Sequence, residues 1–520
     1  MKLTYIISGF ALLASACLSS CEDLEDVNVS PNAPTSVKSN MLMSGTEKWI
    51  ADYVYDVWFS GRQCLLYSQQ WAQLNYTEED RYQIREGVNN SYFNCLYLGV
   101  ANLNRVIELN TDPETAPASA LVGANCNQIA AARILKVWLM GLITDTWGSV
   151  PYSDVAKLES EGVLYCKYDD QKEIYADLIK ELTEAAAQID ETQEAFTSGD
   201  MIFSGDASKW KKLAGSLKCR LAIHMSKVDS NWKTYIAEAL ESGVMESNDD
   251  AAMFHYSASG SDYCKFYEGW YVDGRDDLTI NRQLTNILQG IPDKVNGKTH
   301  PWEGVVDPRL YVYTTPDYYY GNYDGFPYGV PTGLSPNFYY VIPHWSWLSP
   351  SFLDPDFAVP LMTYAEQKFI ECEYNGFASA DYIAGVEASL EYWTGSVDDE
   401  YVTSVSGSVN AETVALQKYI DLYLNGTEAW TEYRRTGYPN QLLRPGEIAV
   451  VYNDEPVYFN PISDTKGDII SRVKYPTNES TINGANYADA VSRLTDGTNN
   501  YYSKMFYDVR TGSYDHPDNK

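Results

Sequence analysis

Helical periodicity runs through two long stretches of the chain and is missing from a third between them. From about residue 41 to 250, apolar residues recur every three or four positions. Ile174, Leu178, Leu182 and Ile189 make one stripe, and Trp210, Leu213, Leu217 and Leu221 make another. Asp170 precedes the first stripe and Glu173 follows three residues later, which predicts an N-cap at Asp170. Residues 251–358 lose this pattern and are rich in Pro, Gly, Tyr and Trp. Helical spacing returns near 361. Met362, Ala365, Phe369 and Cys372 form one stripe, and Ile383, Val386, Leu390 and Trp393 form the next. Val414, Ile420 and Leu424 belong to a third, which Gly426 is expected to end. The last part of the chain reads as loop.

The stripes fall in neighbouring pairs, roughly 168–190 with 206–227 and 361–375 with 379–393. This predicts a mostly α fold of paired, tetratricopeptide-like helices forming a scaffold, with a large, aromatic-rich, irregular insert at about 251–358. No clean repeat signature recurs along the chain. Residues 41–520 are expected to form a single domain.

The N-terminus follows a different logic. Lys2 is followed by an almost wholly apolar run from Tyr5 to Leu18, and then by Leu18-Ser19-Ser20-Cys21. This is the layout of a secretory signal, expected over residues 1–20. The run is shorter than the roughly 20 residues a membrane-spanning helix needs. The ending also looks like a bacterial lipobox, in which Cys21 becomes the first mature residue and carries acyl chains. Such a chain is anchored to a membrane without spanning it. Glu22-Asp23-Leu24-Glu25-Asp26 follows the cysteine and resembles a surface-export tag. Residues 21–40 are polar, hold Pro31 and Pro34, and read as a flexible tether. No later segment reads as apolar enough or long enough to cross a membrane.

Charge narrows the partners. With 71 acids against 38 bases, the formal charge is −33. A polyanion of this size is repelled by nucleic acid and anionic lipid. Beyond Cys17 and Cys21 there are seven cysteines: Cys64, Cys95, Cys126, Cys166, Cys219, Cys264 and Cys372. Seven is odd, so at least one is free. Cys219 and Cys372 sit among apolar neighbours in helical patterns and read as buried thiols. With only five histidines and none at ligand spacing from a cysteine, a zinc site is not expected. Tyrosine stands out, at 43 against 15 Phe. Its ring is apolar and its tip polar, which suits a surface that is both wet and adhesive.

Seven segments, in order, resemble the SusD/RagB family of outer-membrane nutrient-binding lipoproteins. They are NVSPNAPTSV (28–37), TDTWGSVPY (144–152), KWKKLAGSLKCRLAIHMSKV (209–228), DPRL (307–310), PLMTYAEQKFIECE (360–373), ALQKYIDLYLNGTEAWTEYRRTGYP (415–439) and RVKYPTNESTINGANYADAV (472–491). Most have structural readings. Gly148 and Pro151 would stop a helix. Arg434 and Arg435 fall in a last helical turn before Gly437 and Pro439, where cations oppose the dipole. Asp307-Pro308-Arg309 fits a turn closed by a local ion pair. The resemblance implies four tetratricopeptide-like helix pairs beneath an irregular face. It further implies a cell-surface lid over a TonB-dependent transporter of the SusC type, capture of an oligosaccharide or, in some branches, a peptide, and no catalysis.

Candidate ligand contacts come from aromatic density. Between 311 and 347, 13 of 37 residues are aromatic, against 14% for the whole chain. Flat rings stack on the C–H faces of sugars while polar neighbours bond the hydroxyl rim. Trp345 and Trp347, two apart, are expected to point to one side of an extended segment. Tyr318, Tyr319, Tyr320 and Tyr328 are their companions. A second cluster is Trp71 with Tyr76, Arg81 and Tyr82, and a third is Trp270 with Tyr271. Packing of the loop onto the scaffold is the competing role for each ring.

Enzyme signatures are missing. The sequence has no GxSxG elbow, HExxH helix or GxGxxG turn. GIPDKVNGKT (290–299) ends like a phosphate-binding loop but holds six residues between its glycines where the cradle needs four. With so many acids, a carboxylate pair suited to glycoside hydrolysis is always available and therefore uninformative. His224 lies among apolar neighbours and reads as packed or exposed. No cofactor is expected.

Overall fold

Four helix pairs carry the scaffold of the computed structural model, which describes residues 37–259, 262–339 and 344–510. Cys21, the signal segment and most of the tether lie outside the described residues. Glu86–Thr111 packs on Asn125–Trp147, Gln171–Gln188 on Ala207–His224, Tyr364–Tyr374 on Ser379–Thr394, and Ala411–Asp421 on Gly426–Thr436. The helix Ser39–Val54 lies against the first pair. The expected mostly α, paired-helix fold is what the chain adopts.

Local chemistry sets the helix ends. Asp206 accepts bonds from the N–H groups of Ser208 and Lys209, and Asn410 and Thr413 form a capping box. Gly148, at φ 86°, closes Asn125–Trp147 as its composition predicted. Asp170 occupies the N-cap position as expected, although its carboxylate pairs with Arg493 and makes no cap bond. One expectation fails. Gly426 does not end a helix: Ala411–Asp421 stops earlier, and Gly426 opens Gly426–Thr436. Glycine is needed there because a Cβ would sit 2.7 Å from the backbone of Cys64 and Leu65. The Met362 stripe also begins in a strand, Val359–Met362, before its helix starts.

Asn125–Trp147 corrects another expectation. It is long and apolar enough to cross a membrane, but 78% of its apolar window is buried inside the protein, as the central core helix. All seven described cysteines are free, and Cys64, Cys95, Cys219, Cys264 and Cys372 are buried. Among the described residues there are five short antiparallel strand pairs, and some of them tie distant segments together, such as Trp71–Gln73 with Leu278–Ile280 and Ala252–Phe254 with Val359–Met362.

The core also holds a web of charge. Arg220 meets Glu366 at 2.6 Å, and His224 Nε2 meets Glu428 at 2.8 Å. The Tyr175 hydroxyl lies 3.1 Å from His224 Nδ1 and donates to Asp145 at 2.6 Å. Lys418 lies 3.2 Å from Glu432, and Arg435 bridges Glu432 and Glu373 at 2.6 and 2.7 Å. His224 is therefore packed, but in an ionic setting its apolar neighbours did not reveal. Its nitrogen and the oxygens of Glu428 and Glu432 lie within 4.8 Å of one another, as metal ligands would. Arg220, Lys418 and Arg435 already neutralise those carboxylates, so the arrangement is an ion-pair core, not an open coordination site.

Buried carboxyls inside and outside this web make stability pH-dependent. Burial pushes the Asp145 and Asp56 carboxyls up to about 6. Burial also acts to raise Glu428, but His224 and Arg220 outweigh it and hold that carboxyl at about 2. An ordinary carboxyl titrates near 4, so the native state binds protons at Asp145 and Asp56 more tightly than the unfolded chain. Their effect is to lower stability as pH rises from about 4 through 6, by roughly 2–3 kcal/mol each. Glu428 contributes stability above about pH 4 that is lost as pH falls toward 2. Urea midpoints should therefore peak near about pH 4 and decline on both sides. A midpoint that climbs steadily from about pH 5 to 8 would contradict this assignment.

Candidate ligand-binding site

The aromatic residues separate by burial. Trp71 is 0% exposed. It packs between Phe266 and Phe352, and its indole N–H donates to the Tyr423 hydroxyl at 3.3 Å. Tyr328 and Tyr82 are equally buried, both against Phe459. These three rings are core, not ligand platform. The insert has few helices of its own, so its large side chains supply the packing that holds it to the scaffold. Trp270 is half-buried, while Tyr271 and Tyr76 are exposed. Arg81 is engaged by the Thr77 carbonyl at 3.0 Å.

The two tryptophans two residues apart have different surroundings. Trp345 is 7% exposed, with Phe326 at its edge and the Arg282 guanidinium 5.1 Å from its ring centre. Trp347 is half-buried in the strand Trp347–Leu348, paired with Thr314–Thr315. Neither offers an open face of the kind the spacing suggested.

The open rings belong to the tyrosine run. Tyr318, Tyr319 and Tyr320 are 87%, 62% and 68% exposed. Asp317 displays them. Its carboxylate accepts the N–H groups of Tyr319, Tyr320 and Asn322 at 2.9, 2.7 and 2.8 Å, closing a turn with the rings outside. The backbone donors pull the Asp317 carboxyl below its usual value despite the opposing effect of desolvation. The His344 ring lies 5.6 Å from Tyr319 and 4.5 Å from Tyr320, completing a ridge.

The next residue, Trp345, leads into a groove of about 660 Å³. One wall is the helix Arg282–Leu288, which presents Arg282, Gln283 and Asn286. The other walls are residues 291–295 and the strand Ile448–Tyr452 with Asn453. Gln283 is 6% exposed, and its Oε1 has no hydrogen-bond partner. Asn286 lies one turn along the same helix face. Among the described residues its side-chain amide bonds to nothing in the protein.

The family model described as "Starch-binding associating with outer membrane" matches residues 31–476. The chain belongs to this SusD-like family. Its fold is that of solved SusD homologues. One from Parabacteroides distasonis superposes with a TM-score of 0.75 at 22% identity, covering 92% of this chain and 99% of that one. A chitin-binding SusD homologue from Flavobacterium johnsoniae gives 0.70 at 20% identity, covering 91% and 99%. A further chitin-binding protein gives 0.72 at 24%, covering 91% and 100%. No curated protein matches the sequence.

The groove escaped sequence reading. Its SusD-like scaffold was legible, but Gln283 and Asn286 sit in a seven-residue helix too short to show a period. The hairpin Ile448–Tyr452 with Glu455–Tyr458 did carry a signal. Its turn residues Asn453 and Asp454 both adopt positive φ, and Asn-Asp between alternating apolar residues marks such a turn.

Proposed function

We propose that this SusD-like protein captures an oligosaccharide at the cell surface and passes it to a TonB-dependent barrel transporter of the SusC type, without catalysis. Acylated Cys21 anchors it, and the acidic tether gives the anchored body reach. The observation that carries the reading is the exposed Tyr318–Tyr319–Tyr320 ridge with His344, whose next residue, Trp345, lines a groove that presents the amides of Gln283 and Asn286. Exposed aromatic clusters mark binding surfaces. Tyrosine rings match the C–H faces of sugars, and the groove amides match their hydroxyl rim. The family's association with the outer membrane supports the location.

The test is the double variant Tyr319→Ala/Tyr320→Ala, titrated calorimetrically against a panel of soluble oligosaccharides. Affinity for whichever glycan binds the parent protein should fall at least about tenfold, since each 1.4 kcal/mol is a factor of ten. The melting temperature should not change, because both rings are already in water. Unchanged affinity would place capture elsewhere. Release of reducing ends from the glycan would make the protein a hydrolase instead.

A further inference from the structure

Resting on the glycan-capture reading, we propose that the groove beside Trp345 selects a 2-acetamido sugar, whose amide pairs with Gln283 and Asn286 while its methyl group rests on Ile291, Pro292 and Val295.

The argument starts from what the groove leaves unsatisfied. A buried polar group without a partner costs free energy, and Gln283 Oε1 is such a group. A primary amide offers both acceptor and donors, and its broad terminal torsion lets either end face the groove. The natural complement is another amide, with one N–H and one C=O. Asn286 presents a second unpaired amide one turn away, so donor and acceptor can be met together.

Charge points the same way. Arg282 is held by Asp324 at 3.2 Å and lies over Trp345. Asp293 accepts from the Asn296 side chain at 2.8 Å, and Lys294 pairs with Glu303 at 3.5 Å. The ionic groups are already engaged, which favours an uncharged ligand. The remaining lining is aliphatic, and Ile291, Val295 and Val451 are exposed. A sugar bearing only hydroxyls would leave that surface wet, whereas an acetamido methyl covers part of it. A peptide also carries amides, but the backbone edge that would pair with it is the Ile448–Tyr452 strand. There the Asn296 side chain already takes both the N–H and the C=O of Ile448, at 2.9 and 3.0 Å.

Chitotetraose and cellotetraose share one β-1,4 backbone and differ only at C2, acetamido against hydroxyl. Titrated into the full chain, chitotetraose should bind at least about tenfold more tightly, because a site built for a hydrogen-bonding group rejects the analogue that lacks it. Gln283→Leu should erase most of that ratio without loss of stability, since it removes an unpaired amide and keeps the volume. Equal affinity for the two tetrasaccharides overturns the acetamido assignment and leaves glycan capture standing. A ratio that survives in Gln283→Leu overturns the role of this groove. Displacement of chitotetraose by a tri-alanine peptide at equal concentration would replace the sugar by a peptide. Failure to bind either tetrasaccharide or any other glycan overturns the capture reading itself.

Discussion

Replacing Arg309 by alanine should lower the unfolding free energy by about 3–5 kcal/mol, the usual cost of breaking a buried ion pair from one side. Arg309 is wholly buried and pairs with Asp307 at 2.6 Å. The same guanidinium donates to Ser389 at 2.7 Å and to Gln417 at 2.6 Å. One side chain thus joins the irregular insert to two of the scaffold helices. Alanine would leave the Asp307 carboxylate buried with only its Tyr401 and backbone N–H donors. Arg309→Lys should recover only part of the loss, since a single ammonium cannot reproduce the fork. Urea unfolding followed by circular dichroism measures both. A loss below about 1 kcal/mol would mean that water or another cation takes the place of the guanidinium.

Trp71→Ala should cost about 3–5 kcal/mol as well, through the cavity left by a large buried ring. It separates two roles for an aromatic residue near the insert. Trp71 lies between Phe266 and Phe352 with its N–H bonded, so truncation removes packing and leaves a hydroxyl partner behind. The melting temperature should drop sharply, while the glycan affinity of the protein that remains folded stays near the parent value. The Tyr319→Ala/Tyr320→Ala variant should do the reverse. A Trp71→Ala protein that melts normally but binds poorly would return Trp71 to the ligand surface.

Much of the scaffold was legible because helical periodicity is a local property. Trp210, Leu213, Leu217 and Leu221 lie on one face whatever else the chain does, and all four are buried. The DPR turn was legible for the same reason, since its ion pair spans two residues. What Arg309 does beyond that turn was not legible, because Ser389 and Gln417 lie 80 and 108 residues away. The aromatic insert marked the right region but not the right rings. Composition cannot distinguish Tyr328, which fills the loop's core, from Tyr319, which stands outside it. That difference depends on one carboxylate, Asp317, collecting three backbone N–H groups. The groove was hidden because its walls come from segments more than 150 residues apart.

The ion-pair core has a mechanical corollary. In an ordinary helical solenoid each unit touches only its neighbours, so the ends fray and the array flexes like a spring. Here Asp145, Arg220 with His224, Glu366 with Glu373, and Lys418 with Glu428 come from all four helix pairs and meet in one place. Peeling off any one pair strands a charge in the interior. The array therefore behaves as a plate rather than a spring. Any large swing of the molecule has to be taken up where the chain leaves that plate, not along a seam between its helices.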